Sequence, residues 1–588
     1  MTELIRDTAF GHVVRYLSGK RLLKFSEEAD PSIWTRCIDE KKSGYLAHHG
    51  DTNPTEDDAE LSGIDNVKTT EDANENASTA SSRTRVEDGN AHINHASGVR
   101  VDPEKGRDKY IVSWYGPNDP ENPQNWSLFK RCFVTFEIFL LTTSVYIGSS
   151  IYSAGEQSVM ETFGVSQVAA TLGLCLFVAG YGTGPMIWSP MSEVPQFGRN
   201  PIYIGTLAVF VAFQAPTALA SNFGMLLAFR FLTGFFGSPV LATGGASLAD
   251  IWRPSKRAYA MSIWGIAAVC GPVLGPLVGG FAVQYGPITG AGKISAPWTW
   301  PIWELMWLSA FCFVFLFFFF PETSANNILY RRARRLRKIT GNDKLISEPE
   351  LMAENMTPKA IALMILVKPF TLNFTEPMVF LLNLYIALVY GLLYIWFESF
   401  VVVFIEIYHF SLGEEGLAYL GIFVGAIIVI PPFFCYLKFV LEPQFDENGE
   451  IQPEKRLPPT FVGAFCIPIC LFWFGWSARA SVHWIVPIIG SAWFSIGAFL
   501  LFNSILNYLP DAYPEHAASV LAGNDLMRSA FGAGFPLFAA AMYSDLGVAW
   551  ASSTLAFISV AFIPIPFVLY KFGPTLRKNY SKHARKDL

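Results

Sequence analysis

Long apolar stretches alternating with short polar and charged segments are the dominant pattern along this chain. A helix needs about 20 mostly apolar residues to cross the hydrocarbon core of a bilayer. Twelve stretches approach or exceed that length: 132–152, 168–188, 201–220, 225–249, 261–283, 301–320, 378–400, 417–437, 459–476, 484–506, 518–543 and 549–570. The pattern predicts an all-α integral membrane protein with twelve transmembrane helices in two six-helix halves.

The charged residues fall between and around the apolar stretches and divide the chain into regions. We predict a cytoplasmic N-terminal region, a first six-helix half, a basic cytoplasmic linker, a second six-helix half and a cytoplasmic tail: 1–129, 130–320, 321–376, 377–572 and 573–588. Residues 51–100 are polar and almost free of large apolar side chains, so the N-terminal region is expected to be partly disordered. Two six-helix halves joined by a linker are typical of secondary transporters, whose halves rock against each other.

Composition and charge support this interpretation. Hydrophobic residues make up 51% of the 588 residues and charged residues 16%, whereas a soluble protein is about 25% charged. Lys293 and Arg479 are the only basic residues in the loops on one side of the predicted bundle, and the other loops and both termini are rich in them. Both termini are therefore expected in the cytoplasm. The basic run from Arg331 to Lys338 is expected to contact anionic lipid of the inner leaflet; a regulatory partner is the alternative.

The fifth apolar stretch has glycine at every fourth position, at Gly271, Gly275 and Gly279, with Pro272 and Pro276 between them. Glycines at this spacing form a groove in which another helix packs closely. Proline bends a helix, and a membrane helix survives the bend because its backbone cannot exchange its hydrogen bonds for water. We predict a bent, closely packed helix at the interface of the two halves.

Charged residues inside membrane spans are rare and indicate functional sites. We interpret Arg230 as a fixed positive charge that faces the cavity and acts on a nearby carboxylate; the alternative is an arginine that extends to the outer interface. Glu398 lies among aromatic residues near the outer end of the seventh stretch, and we expect it to bind a proton from outside; the alternative is an interfacial glutamate in water. Glu137 is a competitor, unless it pairs with Lys130 and Arg131.

Polar and aromatic residues form stripes along the first, seventh and tenth stretches, where we expect them to line a cavity for flat apolar molecules. The candidate substrate-binding residues are Tyr146, Asn383, Tyr390, Tyr394, Phe397, Phe499 and Asn503. Hydrogen bonding between helices is the rival explanation of these stripes. In the eleventh stretch, Asp525 and Arg528 lie three residues apart, which predicts a neutral pair with a structural role near the cytoplasmic end.

Several short motifs carry a resemblance to one family. The segment 182–199 resembles the signature loop between the second and third spans of the major facilitator superfamily, and Arg230 with Gly234 resembles its fourth-span motif. The segment 265–280 is similar to the fifth-span motif of members that export by antiport. The segments 119–126, 242–250, 321–323 and 524–528 are similar to those of fungal twelve-span drug:proton antiporters of the benomyl- and fluconazole-resistance type.

The resemblance implies the major facilitator fold and proton-coupled efflux of hydrophobic drugs, fungicides or other xenobiotics across the plasma membrane, which confers multidrug resistance. It assigns the antiport motif to Gly265, Gly271, Pro272, Gly275, Pro276 and Gly279. It places Glu193 and Arg199 in a cytoplasmic gate with which Asp250 pairs. This signature loop departs from the usual pattern, because Glu193 replaces an aspartate and Arg199 is the one member present of a usual basic pair. A weaker or differently wired gate is therefore expected. The proton-coupling role of Arg230 and Glu398 is an interpretation of the residues themselves.

Other function classes fit the sequence less well. The chain has no GxxxxGK[ST] phosphate loop and so no ATP-driven motor of its own. Proton-coupled or facilitated uptake of a small nutrient remains an alternative, although a sugar site favours more amide and acidic side chains. A polytopic membrane enzyme or receptor is another, but none of the nine histidines lies in mid-span. We expect a monomeric transporter, not an enzyme, with no cofactor, metal or nucleic-acid partner; its expected partners are hydrophobic small molecules, protons and membrane lipid.

Overall fold

Helices account for most of the computed structural model, which describes residues 5–30, 32, 34, 99–101, 110–286, 296–354, 363, 367–446 and 450–586. Within those residues, eleven helices are long and apolar enough to cross a membrane. The predicted disorder of 51–100 falls almost entirely outside the described residues. Its last two residues belong to a short strand, Val99–Val101.

The first half consists of six spans with capped and proline-initiated helices. Spans 1 to 6 are, in order, Leu128–Ser150, Gln167–Thr183 with Pro185–Glu193, Asn200–Ala218, Phe223–Gly237 with Pro239–Ile251, Pro254–Tyr285 and Thr299–Phe319. A short helix, Glu156–Phe163, lies between spans 1 and 2. Side-chain oxygens of Ser127, Ser166 and Asn222 accept hydrogen bonds from backbone N–H groups at the starts of spans 1, 2 and 4. Pro185 and Pro239 begin the second segments of spans 2 and 4, where a missing N–H is tolerated.

The second half begins with four spans of similar construction. Spans 7 to 10 are Pro377–Phe400, Leu412–Ala418 with Leu420–Tyr436, Pro458–Ser477 and Ile485–Ala512. π-helical turns, Val401–Ile407 and Leu437–Leu441, extend spans 7 and 8. Buried residues of both halves form one continuous apolar core.

The boundary between the last two spans lies at Gly547, within the gap between the predicted stretches 518–543 and 549–570. Span 11 begins with helix Ala517–Gly534, and the next helix, Pro536–Phe562, is interrupted at Gly547, whose φ of 71° and ψ of 160° are not helical. Only glycine adopts such a backbone without steric cost. Span 11 therefore continues to Gly547, and span 12 runs from there through Pro564–Asn579.

Span 11 is polar for a membrane helix. Ala517–Gly534 is not among the eleven apolar helices, because Asn524, Asp525 and Arg528 lower its hydropathy. When this helix is included, the described chain has the twelve spans that the sequence predicts. The all-helical membrane fold is confirmed.

A cap covers the end of the first half on the side that carries both termini, which we call the terminal side. It contains the helix Ala9–Leu17 and the linker helix Ala325–Thr340. It also contains three strands that the sequence did not predict: β1 (Val99–Val101) pairs antiparallel with β2 (Tyr110–Val112), and β2 pairs parallel with β3 (Leu345–Ser347). Phe10 packs on Phe318 at the end of span 6, with ring centroids 4.8 Å apart.

Arg332 of the linker helix is the centre of this terminal cap. Its fully buried guanidinium forms ion pairs with Glu27 at 3.0 Å, Asp119 at 2.6 Å and Glu121 at 3.1 Å. Burial opposes ionisation of Asp119, but the hydrogen bonds and charge of Arg332 outweigh it, so the pKa of Asp119 lies below its ordinary value. The N-terminal region and the linker are thus bound to each other through charge.

Ion pairs within the protein reduce the number of basic linker residues that are available for the predicted contact with lipid. Arg332 and Arg335 pair with acidic residues of the cap, and Arg337 pairs with Glu350 at 2.9 Å. Arg334 and Lys338 are exposed. Contact with anionic lipid stays a prediction, and these two residues are the basic side chains of the run that are best placed for it.

Candidate functional site

A cluster of buried tyrosines joins the two halves at mid-membrane. The hydroxyl of Tyr181 in span 2 lies 2.5 Å from the hydroxyl of Tyr390 and 2.9 Å from that of Tyr394, both in span 7. Tyr394 in turn donates a hydrogen bond to Ser149 of span 1 at 2.8 Å. Spans 1 and 2 of the first half are therefore linked to span 7 of the second half through hydroxyl groups.

An ion pair lies beside the tyrosines. Arg528 of span 11 forms hydrogen bonds to Asp525, one turn away, and donates another to the hydroxyl of Tyr146 in span 1 at 3.0 Å. Its guanidinium also lies 5.4 Å from the ring centroid of Tyr390. The predicted pairing of Asp525 with Arg528 is confirmed, but Arg528 also contacts the other half beside the tyrosines, which its spacing in the sequence did not reveal. Among the described residues, Asp525 Oδ2 is buried without a hydrogen-bond partner.

A small cavity of about 20 Å³ opens beside this ion pair, between the halves and toward the terminal side. Its lining residues are Leu241, Ala242, Gly245, Met261, Trp264, Leu506, Leu521, Asn524, Asp525 and Arg528. A drug-sized molecule needs a pocket of about 300–1,000 Å³. The halves must therefore separate before such a molecule fits at this place.

The other predicted substrate residues of span 7 lie at the edges of the tyrosine cluster. Phe397 is buried, with its ring centroid 5.2 Å from that of Tyr394. On the terminal side of the cluster, Asn383 accepts a hydrogen bond from Asn524 at 2.8 Å and donates one to Asn373 at 2.7 Å. These amides satisfy one another inside the second half.

The two predicted residues of span 10 lie apart from the tyrosine cluster. Phe499 packs on Phe433 of span 8, with centroids 5.3 Å apart, in a separate apolar cluster. Asn503 donates to the carbonyl of Phe499 at 3.0 Å and lies beside Gly265 of span 5. The structure brings together Tyr146, Tyr390 and Tyr394, whereas Phe499 and Asn503 lie where spans 5, 8 and 10 pack. Their substrate roles stay predictions.

Arg230 is fully buried and does not extend to a membrane interface, so that alternative is wrong. It donates hydrogen bonds to the carbonyl oxygens of Gly148 at 2.9 Å, Ser149 at 3.3 Å and Gly173 at 2.8 Å. Its guanidinium faces the ring of Tyr152, 4.8 Å from the centroid. Arg230 therefore ties spans 1 and 2 together at their ends away from the terminal side, and it keeps a positive charge there.

Glu398 lies at about the same depth in the bundle as Arg230, but it belongs to the second half. It is 6% exposed, which contradicts the alternative of a glutamate in water. Gln167 of span 2 contacts it across the interface, with 3.5 Å between Nε2 and Oε2. One turn along span 2, Thr171 donates a hydrogen bond to Glu156 at 3.0 Å. Glu156 is a buried carboxylate that the sequence analysis missed, because it follows the predicted end of span 1.

The alternative in which Glu137 pairs with Lys130 and Arg131 is wrong. Glu137 is fully buried, and neither of its carboxylate oxygens has a hydrogen-bond partner among the described residues. Lys130 lies over the ring of Trp126, 3.7 Å from the centroid, and Arg131 lies 4.9 Å from that of Trp252. Both cations lie over aromatic rings instead of beside Glu137.

The glycine groove of span 5 receives span 1 of its own half. A Cβ at Gly271 would lie 2.5 Å from the Cβ of Tyr146, one at Gly275 would overlap Ser150, and one at Gly279 would lie 2.5 Å from the carbonyl oxygen of Ile151. Ser150 also donates a hydrogen bond to the carbonyl of Pro272 at 2.5 Å.

Span 5 meets the second half through other residues. Gly265 lies against Asn503 of span 10, and Gly280 touches the backbone of Leu412 in span 8. The carbonyl of Pro276 approaches Gly416 of span 8, at 2.7 Å from a Cβ built there. Span 5 therefore lies at the interface of the halves, as predicted, and contacts the second half through Gly265, Pro276 and Gly280. The groove formed by its central glycines packs against span 1.

The predicted gate residues lie together at the terminal side of the first half. Arg199 forms an ion pair with Asp250 at 3.0 Å, and its backbone N–H donates to Glu322 at 3.1 Å. Glu322 also accepts from the N–H groups of Asn200 and Ser324. Glu193 is half-buried and close enough to interact electrostatically with Arg199 and Asp250. Glu322, which the sequence analysis left out of the gate, anchors the loop between spans 2 and 3 to the end of span 6.

The family model described as Major Facilitator Superfamily matches residues 138–536 of this chain, more than half of its length. The chain belongs to the major facilitator superfamily. The resemblance that the motifs carry is thereby confirmed. Among solved members of the fold, the E. coli xylose transporter XylE in a partially occluded inward open conformation is similar, with a TM-score of 0.51 and 16% identity, covering 75% of this chain and 99% of that one. At that identity the likeness concerns the fold.

Several curated members of the superfamily are much more similar in sequence. "Transporter mfs1" of Schizosaccharomyces pombe is 49% identical over 81% of this chain and 88% of that protein. "Fluconazole resistance protein 1" of Saccharomyces cerevisiae is 43% identical over 81% of this chain and 85% of its own. "Cycloheximide resistance protein" of Candida maltosa is 36% identical over 99% of this chain and 100% of its own. The last match includes the N-terminal region that forms part of the terminal cap.

Proposed function

We propose that this member of the superfamily exports hydrophobic drugs and other xenobiotics in exchange for protons. The relatives named for fluconazole and cycloheximide resistance support the cargo class. The observation that carries the proposal is the buried group of Tyr146, Tyr181, Tyr390 and Tyr394 with Arg528 at the interface of the halves. Aromatic faces bind flat apolar molecules through area and stacking, and hydroxyl groups at their edges add directional contacts.

The proposed location is the plasma membrane, with both termini in the cytoplasm. This orientation rests on the strong bias of basic residues toward the terminal side. The cavity beside Arg528 then lies toward the cytoplasmic side of the interface between the halves, from which a drug enters. Arg334 and Lys338 of the linker then face the anionic inner leaflet. One chain contains both halves of the path, so a monomer suffices, and the transport cycle requires neither a cofactor nor an enzymatic step.

Proton entry is the proposed energy source. One charge that crosses 100 mV provides about 2.3 kcal/mol, roughly a fiftyfold concentration ratio for a neutral drug. Glu398 is the proposed carrier because it is buried at the interface on the side opposite the termini, where protons arrive from outside. Arg230 supplies a fixed positive charge in this region, where it interacts electrostatically with Glu156, the carboxylate beside Glu398.

Efflux of the apolar dye Nile red from cells that lack their own drug pumps tests this proposal. Cells expressing the chain should accumulate several-fold less dye than cells without it, and a protonophore should remove the difference. Glu398→Gln should abolish the protonophore-sensitive part, whereas Glu406→Gln, an exposed residue on the π-helical extension of span 7, should keep it. Dye accumulation that is insensitive to the protonophore would contradict antiport, and a fully active Glu398→Gln variant would remove Glu398 as carrier.

A further inference from the structure

Two buried carboxylates from different halves lie on one face of span 2, at the side opposite the termini. Glu156 belongs to the short helix after span 1 and accepts a hydrogen bond from Thr171; Glu398 belongs to span 7 and contacts Gln167, one turn earlier. Glu156 is 9% exposed and Glu398 6%. The two carboxylates are close enough to interact electrostatically, and Thr171 lies within reach of both.

No basic side chain of the described residues forms an ion pair with either carboxylate. Arg230 is the nearest positive charge, but its guanidinium donates hydrogen bonds to the backbone carbonyls of Gly148, Ser149 and Gly173. The other titratable groups that face the two carboxylates among the described residues are not basic: Tyr152 from the end of span 1, Cys175 from span 2 and Tyr419 from span 8. Glu156 Oε1 is buried and has no hydrogen-bond partner among the described residues. A proton on this oxygen, or on the neighbouring carboxylate of Glu398, would supply the hydrogen-bond donor that is missing here.

Two ionised carboxylates in a water-poor interface repel each other strongly, and each also loses its favourable hydration when it is buried. A pair of this kind therefore keeps a proton, as paired carboxylates in enzyme sites do. Because one partner is in each half, the free energy of the closed interface depends on that proton. With the proton present the halves stay together on this side; without it they repel and separate.

We propose that Glu156 and Glu398 form one proton-binding pair across the two halves, whose occupancy controls closure on the side opposite the termini. The inference rests on the proposed proton exchange and names its second carboxylate. In this arrangement Glu156 binds the same proton as Glu398 and converts its arrival into closure. No bond other than O–H forms or breaks, and the proton comes from the external water and leaves toward the cytoplasm.

Infrared spectroscopy of the purified full-length protein in liposomes tests the pair without any drug. A pH titration should show a band of a protonated carboxyl group that disappears as the pH rises. Glu156→Gln and Glu398→Gln should each shift the midpoint of this band by about one pH unit or more, a tenfold change in proton affinity. Glu161→Gln is the matched control, since Glu161 is exposed on the same short helix as Glu156. A band that Glu156→Gln leaves at the wild-type midpoint would overturn the pair.

Nile red efflux then separates the pair from the wider proposal. If both residues hold one proton, Glu156→Gln should lose as much protonophore-sensitive efflux as Glu398→Gln, and a Glu156→Gln variant that keeps this efflux would contradict the pair. Thr171→Val removes the hydroxyl donor of Glu156 while keeping both acids, so it should shift the same band if Glu156→Gln fails to fold. Wild-type efflux that ignores the protonophore while the shared band is present would contradict proton exchange and leave the pair intact.

Discussion

The ion pair of Asp525 and Arg528 shows what one residue contributes at the interface. Arg528 is shared between Asp525 of its own span and Tyr146 of the other half, and both charges are fully enclosed. A buried pair contributes little net stability when both partners are present, but the loss of one partner leaves an uncompensated charge. While it remains intact, the pair can therefore fix the position of the two halves relative to each other.

Asp525→Asn should destabilise the protein by about 3–5 kcal/mol, because Arg528 then lacks a counter-charge. The double variant Asp525→Asn, Arg528→Met should recover most of that loss, since both charges are removed. Thermal unfolding in detergent measures both effects, with the exposed Asp545→Asn as control. A double variant no more stable than the single one would mean that the pair does not act as a unit.

The partners of individual residues show how far sequence reasoning reaches. The spacing of Asp525 and Arg528 predicted their pairing, because residues three apart on a helix are neighbours. Tyr181 was missed as a site residue, since its partners Tyr390 and Tyr394 come from a span more than two hundred positions away. A helical pattern gives the direction of a side chain from its own axis, but not the helix that it meets.

At the scale of elements, span 5 is held against span 1 by its glycines. Gly275→Ala should displace span 1, because the new Cβ would overlap Ser150 and lie 2.7 Å from the backbone nitrogen of Ile151. Overpacking of this kind costs about 1–3 kcal/mol. Gly205→Ala in span 3 is the matched control, since a Cβ there meets no atom within 4 Å.

Thermal unfolding and Nile red efflux should both fall for Gly275→Ala and stay unchanged for Gly205→Ala. Equal behaviour of the two variants would show that the groove is not closely filled. The sequence predicted such a groove correctly but not its occupant, because glycine spacing defines the shape of one helix face and leaves the partner open.

The terminal cap is a second element whose stability depends on charge. Arg332→Ala should leave Glu27, Asp119 and Glu121 buried without their common cation, at a local cost of about 3–5 kcal/mol. Limited proteolysis of the purified protein should then cut the linker several-fold faster. Arg334→Ala, two residues away and exposed, should leave the rate unchanged. A protected linker in Arg332→Ala would assign the stability of the cap to its apolar contacts.

The cap should also loosen in acid. Asp119 has a lowered pKa in the fold, against about 3.9 when unfolded. Its carboxylate therefore stabilises the cap fully at pH above about 4, and this contribution is lost as the pH falls through the lower, folded pKa. Hydrogen exchange of β2 amides should accelerate in that acidic range, and less so in Asp119→Asn. An exchange rate in Asp119→Asn with the same acid dependence as wild type would exclude Asp119 as the titrating group.

At the scale of the whole molecule, the halves touch at three depths. Lys256 and Glu442 pair at 2.8 Å on the terminal side, the tyrosines and Arg528 meet at mid-membrane, and Gln167 approaches Glu398 on the opposite side. Composition and motifs predicted two halves and their fold, since length, hydropathy and charge bias determine them. The depth at which the halves touch depends on packing between distant spans, which no local pattern contains.

The ion pair on the terminal side is the one that is exposed to solvent. Glu442 accepts hydrogen bonds from Lys256 and from Tyr259 at 2.6 Å, but the side chain of Lys256 is 53% exposed. An exposed pair of this kind contributes about 0–1 kcal/mol. In a transporter that must open on this side to admit a drug, a weak contact keeps the closed and open states close in free energy.

Glu442→Gln should therefore shift the molecule toward opening on the terminal side by up to about fivefold in population, which corresponds to 1 kcal/mol. Ala242→Cys places a thiol in the lining of the cavity beside Arg528, and mass spectrometry reads its labelling by a water-soluble maleimide. Labelling should be faster in the Glu442→Gln background and unchanged with Arg253→Gln, an exposed residue one turn before Lys256. Equal labelling in the Glu442→Gln and Arg253→Gln backgrounds would mean that Lys256 and Glu442 do not hold this side closed. The mid-membrane tyrosines and Arg528 would then determine the balance between the closed and open states.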